Sequence, residues 1–444
     1  MNRKQFLGKI VGGGLTSLFL PDMLANVSGE ESWNPAANES LLRIALVGKG
    51  KMGSSDTRTA LQVPGTKLVA VCDLYDARLQ AAKKEWGDDI FITKDYKEIL
   101  SKEEVDVVIV GTPDHWHQPI CIDALNSGKH VYCEKPVIHK LSEAKDLVKA
   151  QQLSGRCFQT GSQGMSSVGN RKAKQLLEKG AIGRIHLVEG AFTSAPGALN
   201  SFKAIADASE TTIWWRQFLG NAKIIPFDAQ RFFCWRNWRD YSTGLGGDLF
   251  VHVLASLHYI TGADGPEKVY ATGGIDYYTD GSRDMPDILL GCLDYPDKNG
   301  KGAFKVSLSA NLADGVSKKW GSTNFRIIGE AGTMDVEWDK VTLTMHKDVQ
   351  ASMFNGWQPV GATIDAPEQV ESKKLVFYEK DYHHCHYDHF YNFFSGIRNG
   401  TPIDGNVLFG VRSAAPALLC YESYLRKTSL FWNTDELKIQ KKKS

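Results

Sequence analysis

Three residues of this chain have types and settings suited to moving a proton beside a developing negative charge: Lys135, Asp248 and His252. Lys135 follows the apolar run Val131-Tyr132-Cys133 and Glu134, and precedes Pro136. At the carboxyl edge of a buried strand its ammonium could hydrogen-bond a hydroxyl and stabilise the alkoxide that forms on oxidation. A salt bridge to Glu134 is the plainer use of the same side chain. Asp248 and His252 stand four residues apart where a helical pattern begins, so they share a face. A carboxylate–imidazole pair can accept and relay a proton, and the positive end of a helix disfavours imidazolium. The alternative is an N-capping aspartate beside a core histidine.

Other clusters invite chemistry less directly. His115, Trp116 and His117 follow the apolar run Val105–Val110. The stretch from Trp214 to Tyr241 holds Trp215, Phe227, Phe232, Phe233, Trp235 and Trp238. It could supply stacking platforms for a sugar ring, or a hydrophobic wrap between domains. Within it Trp235, Arg236, Trp238 and Arg239 are the candidate substrate-binding residues, with solvated arginines as the bland reading. His383, His384, His386 and His389, with Cys385 and Asp388, match no zinc spacing. They read as the polar start of a helix that buries Phe390, Phe393 and Phe394, so no metal is expected.

The element that must position these groups is a glycine turn. Leu42–Val47 is an apolar run with the character of a buried strand. It ends in Gly48-Lys49-Gly50-Lys51-Met52-Gly53, and a second strand, Lys67–Cys72, follows a helix-length gap and ends in Asp73. Strand, G-x-G-x-x-G, helix and acid together form a dinucleotide-binding fingerprint. Gly48 permits the turn, Gly50 lets a pyrophosphate approach the backbone, and Gly53 lets the helix pack on its strand. The helix N-terminus offers free N–H groups to phosphate. Asp73 can hold the adenosine ribose hydroxyls and would repel a 2′-phosphate, which favours NAD over NADP. Lys49 and Lys51 could add charge near the phosphates, or be solvated.

Strands and helices alternate regularly from Leu42 to about Gly161, which predicts a parallel sheet covered on both faces, with ligands at the carboxyl ends of its strands. Beyond Gly164 strands come in series (268–273, 288–293, 304–312, 325–328, 333–336 and 341–345), which predicts a largely antiparallel sheet. Two helices, 386–398 and 407–425, close the pattern. The domain reading is an export leader and linker over 1–40, a Rossmann domain over 41–163, a substrate and oligomerisation domain over 164–435, and a basic tail over 436–444.

A formal net charge of +1, with no long basic run before the final lysines, argues against a nucleic-acid surface. The eight cysteines show no C-x-x-C pairing, so they read as small buried hydrophobes rather than zinc or redox ligands. Residues 2–40 combine a basic start with a short apolar, glycine-rich run, too short to span a bilayer well. They read as an export leader similar to twin-arginine leaders, with Arg3-Lys4 in place of Arg-Arg, and imply a periplasmic or otherwise exported protein. An uncleaved tail on a cytoplasmic enzyme is the alternative.

The combination of Gly48-x-Gly50-x-x-Gly53, Thr112-Pro113-Asp114-x-x-His117, Glu134-Lys135-Pro136 and Gly246-Gly247-Asp248-x-x-x-His252 resembles the glucose–fructose oxidoreductase / inositol dehydrogenase / rhizopine-catabolism (Gfo/Idh/MocA) family. Gln159-x-Gly161-x-Gln163 and Gly329-Glu330-Ala331-Gly332-Thr333 resemble family segments too. The resemblance implies an N-terminal Rossmann domain and a C-terminal α+β domain with a large open, mostly antiparallel sheet that commonly mediates dimers or tetramers. It implies that Lys135, Asp248 and His252 face a substrate beside the nicotinamide, with His252 as acid/base. The cofactor-binding candidates are then Gly48, Lys49, Gly50, Lys51, Met52, Gly53, Asp73, Thr112, Asp114, Trp116, His117, Glu134, Lys135 and Gln163. Ala255 stands where many members place an aspartate, and Asp114 where asparagine is usual; both bear on substrate identity. The expected activity is NAD-dependent oxidation of a hydroxyl of a sugar, glycoside or polyol. A redox-neutral glycoside hydrolase and a catalytically silent nucleotide-binding protein are the alternatives. No nucleic-acid partner or stable membrane insertion is expected.

Overall fold

A computed structural model describes residues 40–194, 205–297, 302–314, 323–354, 367–379 and 385–441. The expected export leader lies outside these residues, as do His383 and His384.

The first sheet is built from β1 (Leu42–Val47), β2 (Thr66–Cys72), β3 (Phe91–Thr93), β4 (Val107–Val110), β5 (His130–Glu134) and β6 (Phe158–Gly161), in the order β3-β2-β1-β4-β5-β6. Every pairing is parallel. Its central strands are unbroken runs of valine, isoleucine and leucine because both faces are covered. Register fixes the site: Val47 pairs with Cys72 and Val110, Val110 with Cys133, and Cys133 with Thr160. Gly48, Asp73, Gly111, Glu134 and Gly161 therefore follow in one row along the carboxyl edge. The strand order reverses at β1 and β4, where a crevice opens.

Helices α1 (Lys51–Ala60), α2 (Asp76–Trp86), α3 (Tyr96–Leu100), α4 (His117–Asn126) and α5 (Ala144–Ser154) connect these strands. One face of the sheet has a further cover. After α6 (Val168–Glu178), α7 (Trp215–Leu219), α8 (Ala229–Phe233) and α9 (Val251–Thr261), helix α10 (Cys385–Asn399) returns to the first sheet. Phe390, Phe393 and Phe394, spaced for one helical face, are fully buried there with Ile44, Leu46 and Tyr132. Phe390 stacks on Tyr132 at 4.2 Å. Truncating it to alanine would cost about 3–5 kcal/mol. Helix α10, from the stretch expected to form the second domain, thus packs its apolar face on the first sheet.

The second sheet has eleven strands: β7 (Ile185–Thr193), β8 (Lys268–Gly274), β9 (Ile288–Tyr295), β10 (Phe304–Asn311), β11 (Phe325–Gly329), β12 (Gly332–Val336), β13 (Lys340–Met345), β14 (Glu368–Glu371), β15 (Lys374–Tyr378), β16 (Leu430–Asn433) and β17 (Lys438–Gln440). Their order is β14-β15-β13-β12-β11-β7-β10-β9-β8-β16-β17, antiparallel except where β7 meets β10. Burial alternates along β9 and β10 and through most of β8. One face packs on α6, α9 and α11 (Val407–Arg426), while the other exposes Tyr270, Leu290 and Cys292. β14–β17 escape the sequence pattern because they are short strands at the two margins of the sheet, and β14, at one edge, is exposed throughout. β17 also corrects the expected basic tail, since Lys438–Gln440 pairs with β16.

Candidate active site

The glycine turn closes on itself tightly. Gly48 has φ +95°, and a Cβ there would lie 2.8 Å from the Gly111 carbonyl; a Cβ on Gly53 would lie 2.2 Å from the Gly48 oxygen. Gly50 differs, having nothing within 4 Å of the position a Cβ would take. It opens onto a cavity of ≈ 580 Å³ along the carboxyl edge of the first sheet. A cradle left open at the second glycine, free N–H groups at the start of α1, and the Asp73 carboxylate on the same cavity fit a dinucleotide. Gly48, Lys51, Met52, Thr112, Asp114, Trp116, His117, Glu134, Lys135 and Gln163 line the cavity as well. Asp73 accepts from the Tyr75 N–H at 3.0 Å and faces Arg78 at 3.5 Å.

At the far end of the cavity Lys135, Asp248 and His252 come together, 113 positions separating the lysine from the aspartate. Lys135 Nζ donates to the Asp248 carbonyl at 2.8 Å and to Asp248 Oδ1 at 2.9 Å. Arg236 Nε donates to Oδ2 at 3.2 Å. The approach is close because the chain entering α9 makes a π-helical turn, Gly246–Phe250, a feature frequent at functional sites. A Cβ on Gly247 would strike Thr243 Oγ1 and lie 3.1 Å from Pro136 Cγ. Burial opposes the charge on Asp248, yet the Lys135 and Arg236 cations hold its carboxyl well below the usual range. Burial, followed by the Lys135 charge, pushes the His252 imidazole down to about 3. Asp248 therefore serves as a fixed anion clamping two cations, rather than as the relay partner for His252 that the spacing suggested.

Beneath Lys135 lies a second carboxyl pair. Gln163 Nε2 donates to Glu134 Oε1 at 2.7 Å and to Tyr132 Oη at 2.9 Å, and reaches Asp56 Oδ1 at 3.5 Å. Burial first, then mutual repulsion, raises the Asp56 carboxyl, and burial raises that of Glu134. Both carboxyls are thereby biased toward the protonated form. Glu134 is thus not the partner of Lys135.

Several expected residues have other duties. Lys49 points away from the cavity, bonding Glu85 at 3.0 Å and lying over the Trp86 ring, which corrects its expected place near phosphate. Asp114 faces the cavity but accepts from both the N–H and the hydroxyl of Thr243, at 2.8 and 2.6 Å. Both ring nitrogens of His117 meet carbonyl oxygens, those of Pro136 and Thr112, and Trp116 Nε1 donates to the Phe218 carbonyl. Trp235 and Arg236 line the cavity, stacked at 4.3 Å. Trp238 and Arg239 do not line it: Trp238 lies under the Arg231 guanidinium at 3.7 Å, and Arg239 pairs with Asp284 on an exposed surface.

The cavity also takes residues the sequence did not single out for it. Arg78, Lys94, Tyr96, Gln217 and Phe218 line it, as do Thr323 and Trp338 from the second domain. Phe232 and Phe233, from the stretch read as stacking platforms or a wrap, line it too, and so does His386. His386, placed in the sequence as part of a polar helix start, contacts Trp338 with ring centres 5.9 Å apart, and burial lowers its basicity. A tryptophan within the polar turn Glu337-Trp338-Asp339 was the available signal, since nothing in a hairpin turn requires one. Among the described residues no cluster suited to a metal occurs.

Residues 42–162 match the family model described as "oxidoreductase family, NAD-binding Rossmann fold", and residues 210–430 the model for "oxidoreductase family, C-terminal alpha/beta domain". An inositol 2-dehydrogenase of Salmonella typhimurium is 32% identical over 151 residues, 34% of this chain and 45% of that protein. A glycosyl hydrolase family 109 protein of Shewanella is 32% identical over 123 residues, 26% of this chain and 27% of that one. The matches span less than half the length of these curated relatives. A levoglucosan dehydrogenase in complex with NADH and levoglucosan superposes with TM-score 0.66 at 17% identity, covering 88% of this chain and 99% of that one. The WlbA dehydrogenase of Bordetella pertussis, in complex with NADH and UDP-GlcNAcA, superposes with TM-score 0.66 at 18% identity, covering 90% and 99%. At such identities the structural likeness speaks for the fold.

Proposed function

The chain belongs to the Gfo/Idh/MocA oxidoreductase family, and we propose that within it the protein oxidises a hydroxyl of a sugar, glycoside or polyol with NAD, or runs the reverse reduction. The observation that carries this reading is the meeting of Lys135, Asp248, Arg236 and His252 on the same cavity as Gly50 and Asp73.

A bound nicotinamide supplies the hydride acceptor for the carbinol carbon. The rest falls to the chain. Lys135 has three N–H groups, two of them committed to Asp248. The third is free to hold the substrate oxygen and stabilise the alkoxide as the C–H bond breaks. Asp248, held charged, fixes the ammonium in place. His252, held neutral, accepts the hydroxyl proton at neutral pH. Its low basicity keeps imidazolium short-lived, so the proton passes on to solvent through the cavity.

The test is a screen of purified protein with NAD against myo-inositol, levoglucosan and simple glycosides. It follows NADH absorbance and identifies keto products by mass spectrometry. Absence of nucleotide from the denatured purified protein together with absence of NAD(H) binding by calorimetry would overturn the reading. Free sugar released from a glycoside without net NADH would move it to redox-neutral hydrolysis, which the glycosyl hydrolase relative keeps in view. Turnover unchanged in Lys135→Ala or His252→Ala would remove the roles assigned above.

The outer face of the eleven-stranded sheet, with Tyr270 and Leu290 nearly half exposed, supports a homodimer or homotetramer through that face, testable by light scattering. The N-terminal segment is taken as an export leader, testable by fractionating cells that express the full chain.

A further inference from the structure

The nucleotide end of the cavity is not walled by the first domain alone. Residues 205–241 belong by sequence to the second domain, yet they cross back over the carboxyl end of β2. Ile213 forms an antiparallel bridge with Tyr75. Trp214 N donates to the Leu74 carbonyl at 2.9 Å, and Asp76 N to the Thr212 carbonyl at 3.0 Å. Side chains reinforce the crossing: the Tyr75 hydroxyl bonds Asp207, and Lys94 lies 5.7 Å from the Trp214 ring centre. Further along, the Phe218 carbonyl accepts from Trp116 Nε1 and meets His115 Nε2.

Inside this strap the aromatics form their own core. Phe218, Phe232, Phe233 and Tyr241 are buried with Tyr75, and Tyr75 meets Phe233 edge-on at 5.7 Å. Phe218, Phe232 and Phe233 also line the cavity, together with Gly50, Asp73 and Arg78. The Arg78 guanidinium lies 5.5 Å from the Phe232 ring centre. An acid able to hold ribose hydroxyls, a cation beside it and three phenyl rings thus line one cavity, its walls joined by backbone hydrogen bonds.

We propose that this strap is the second wall of the dinucleotide site and that it holds the adenosine half of the cofactor so firmly that exchange is slow. The inference rests on the NAD-dependent reading above and deepens it. The strap is tied near its start at Tyr75, at Phe218, and near its end where His115 N donates to the Tyr241 carbonyl at 3.4 Å, so release requires one of these ties or the aromatic core to give way.

The experiment is stopped-flow release of NADH from loaded full-length protein, chased with excess NAD and read by NADH fluorescence. Phe232→Ala removes a cavity wall. Tyr75→Phe/Trp214→Ala weakens two strap anchors and leaves every cavity-lining side chain in place, which keeps the test sound should Phe232→Ala fold poorly. Each is expected to speed release by about tenfold or more, while Arg184→Ala, in an exposed ion pair with Glu330 outside both strap and cavity, leaves it unchanged. ADP-ribose affinity should fall in step with NADH affinity, and nicotinamide mononucleotide affinity should not move. Release that is fast in the parent protein, or indifferent to both strap variants, overturns the inference but leaves the dehydrogenase reading standing. A protein that binds no NADH overturns both.

Discussion

Replacing Lys135 by methionine separates the chemical role of the ammonium from its structural one. The side chain is small enough to keep the packing and loses only the charge and its N–H groups. Its first effect is on catalysis. Removing one aligned donor from a water-poor site costs about 2.7–4 kcal/mol of transition-state stabilisation, or about a hundredfold to a thousandfold in kcat. The second effect is on stability. Breaking a buried ion pair costs about 3–5 kcal/mol, but Arg236 still faces Asp248 Oδ2 at 3.2 Å, so the loss should fall below that range. The third effect is the most specific. Lys135 is the nearest charge suppressing the basicity of His252, which burial and that charge together push down to about 3. Without it the imidazole pKa rises, and the acid limb of kcat/KM moves to higher pH. The assay is steady-state kinetics across pH on whichever substrate the screen identifies, with NADH affinity and melting temperature measured alongside. The reasoning fails if kcat stays within about threefold of the parent, or if the acid limb moves to lower pH. Loss of NADH affinity equal to the loss in kcat would make Lys135 a cofactor ligand instead.

The glycine turn predicts a contrast between neighbours: Gly50→Ala should keep the parent melting temperature while weakening NADH binding about tenfold, because its Cβ points into the open cradle. Gly53→Ala should be destabilised by about 1–3 kcal/mol in denaturant titration, because its Cβ meets the Gly48 oxygen. Asp73→Ser should narrow the preference for NADH over NADPH in calorimetry, since Arg78 remains beside the vacated position. Burial pushes His115, His252 and His258 down to about 3, and His389 to about 4. Below the ordinary histidine pKa of about 6.5 the unfolded chain binds protons that the folded chain refuses, so acid removes stability by about 1.4 kcal/mol per histidine per pH unit. The raised carboxyls of Asp56, Glu134 and Asp404 act in the opposite sense but are fewer than the depressed histidines, which also include His130 at about 4, so the melting temperature should fall from pH 7 to pH 5; a flat profile would contradict the burial assigned to these rings.

Much of the site was legible because its parts are local. A strand, a glycine turn and an acid at the end of the next strand are set by backbone sterics and alternation, and each lies where its spacing put it. Lys135 could be read for a related reason: a cation at the end of a buried strand must emerge on the carboxyl edge of a parallel sheet. Lys49 and Arg239 were misread because they are long side chains, and sequence gives their origin but not their reach. Lys49 turns to Glu85 and Trp86, Arg239 to Asp284. Trp238 was misplaced because one aromatic stretch serves two purposes, cavity wall at Trp235 and packing under Arg231 at Trp238.

By itself the sequence determined the order of strands and helices in the first domain, the two-domain plan and the dinucleotide turn, all of which follow from period, glycine placement and β-branched runs. The tertiary structure decided who pairs with whom across long separations. Asp248 could have served His252 four residues away; it serves Lys135 and Arg236, because the π-helical turn and Gly247 bring that strand edge within hydrogen-bond distance. Helix α10 could have closed the second domain; it covers the first, because three phenylalanines find the open face of a parallel sheet. Such choices depend on which buried charge or apolar face is left without a partner once the domains meet, and no window of sequence contains both sides of that contact.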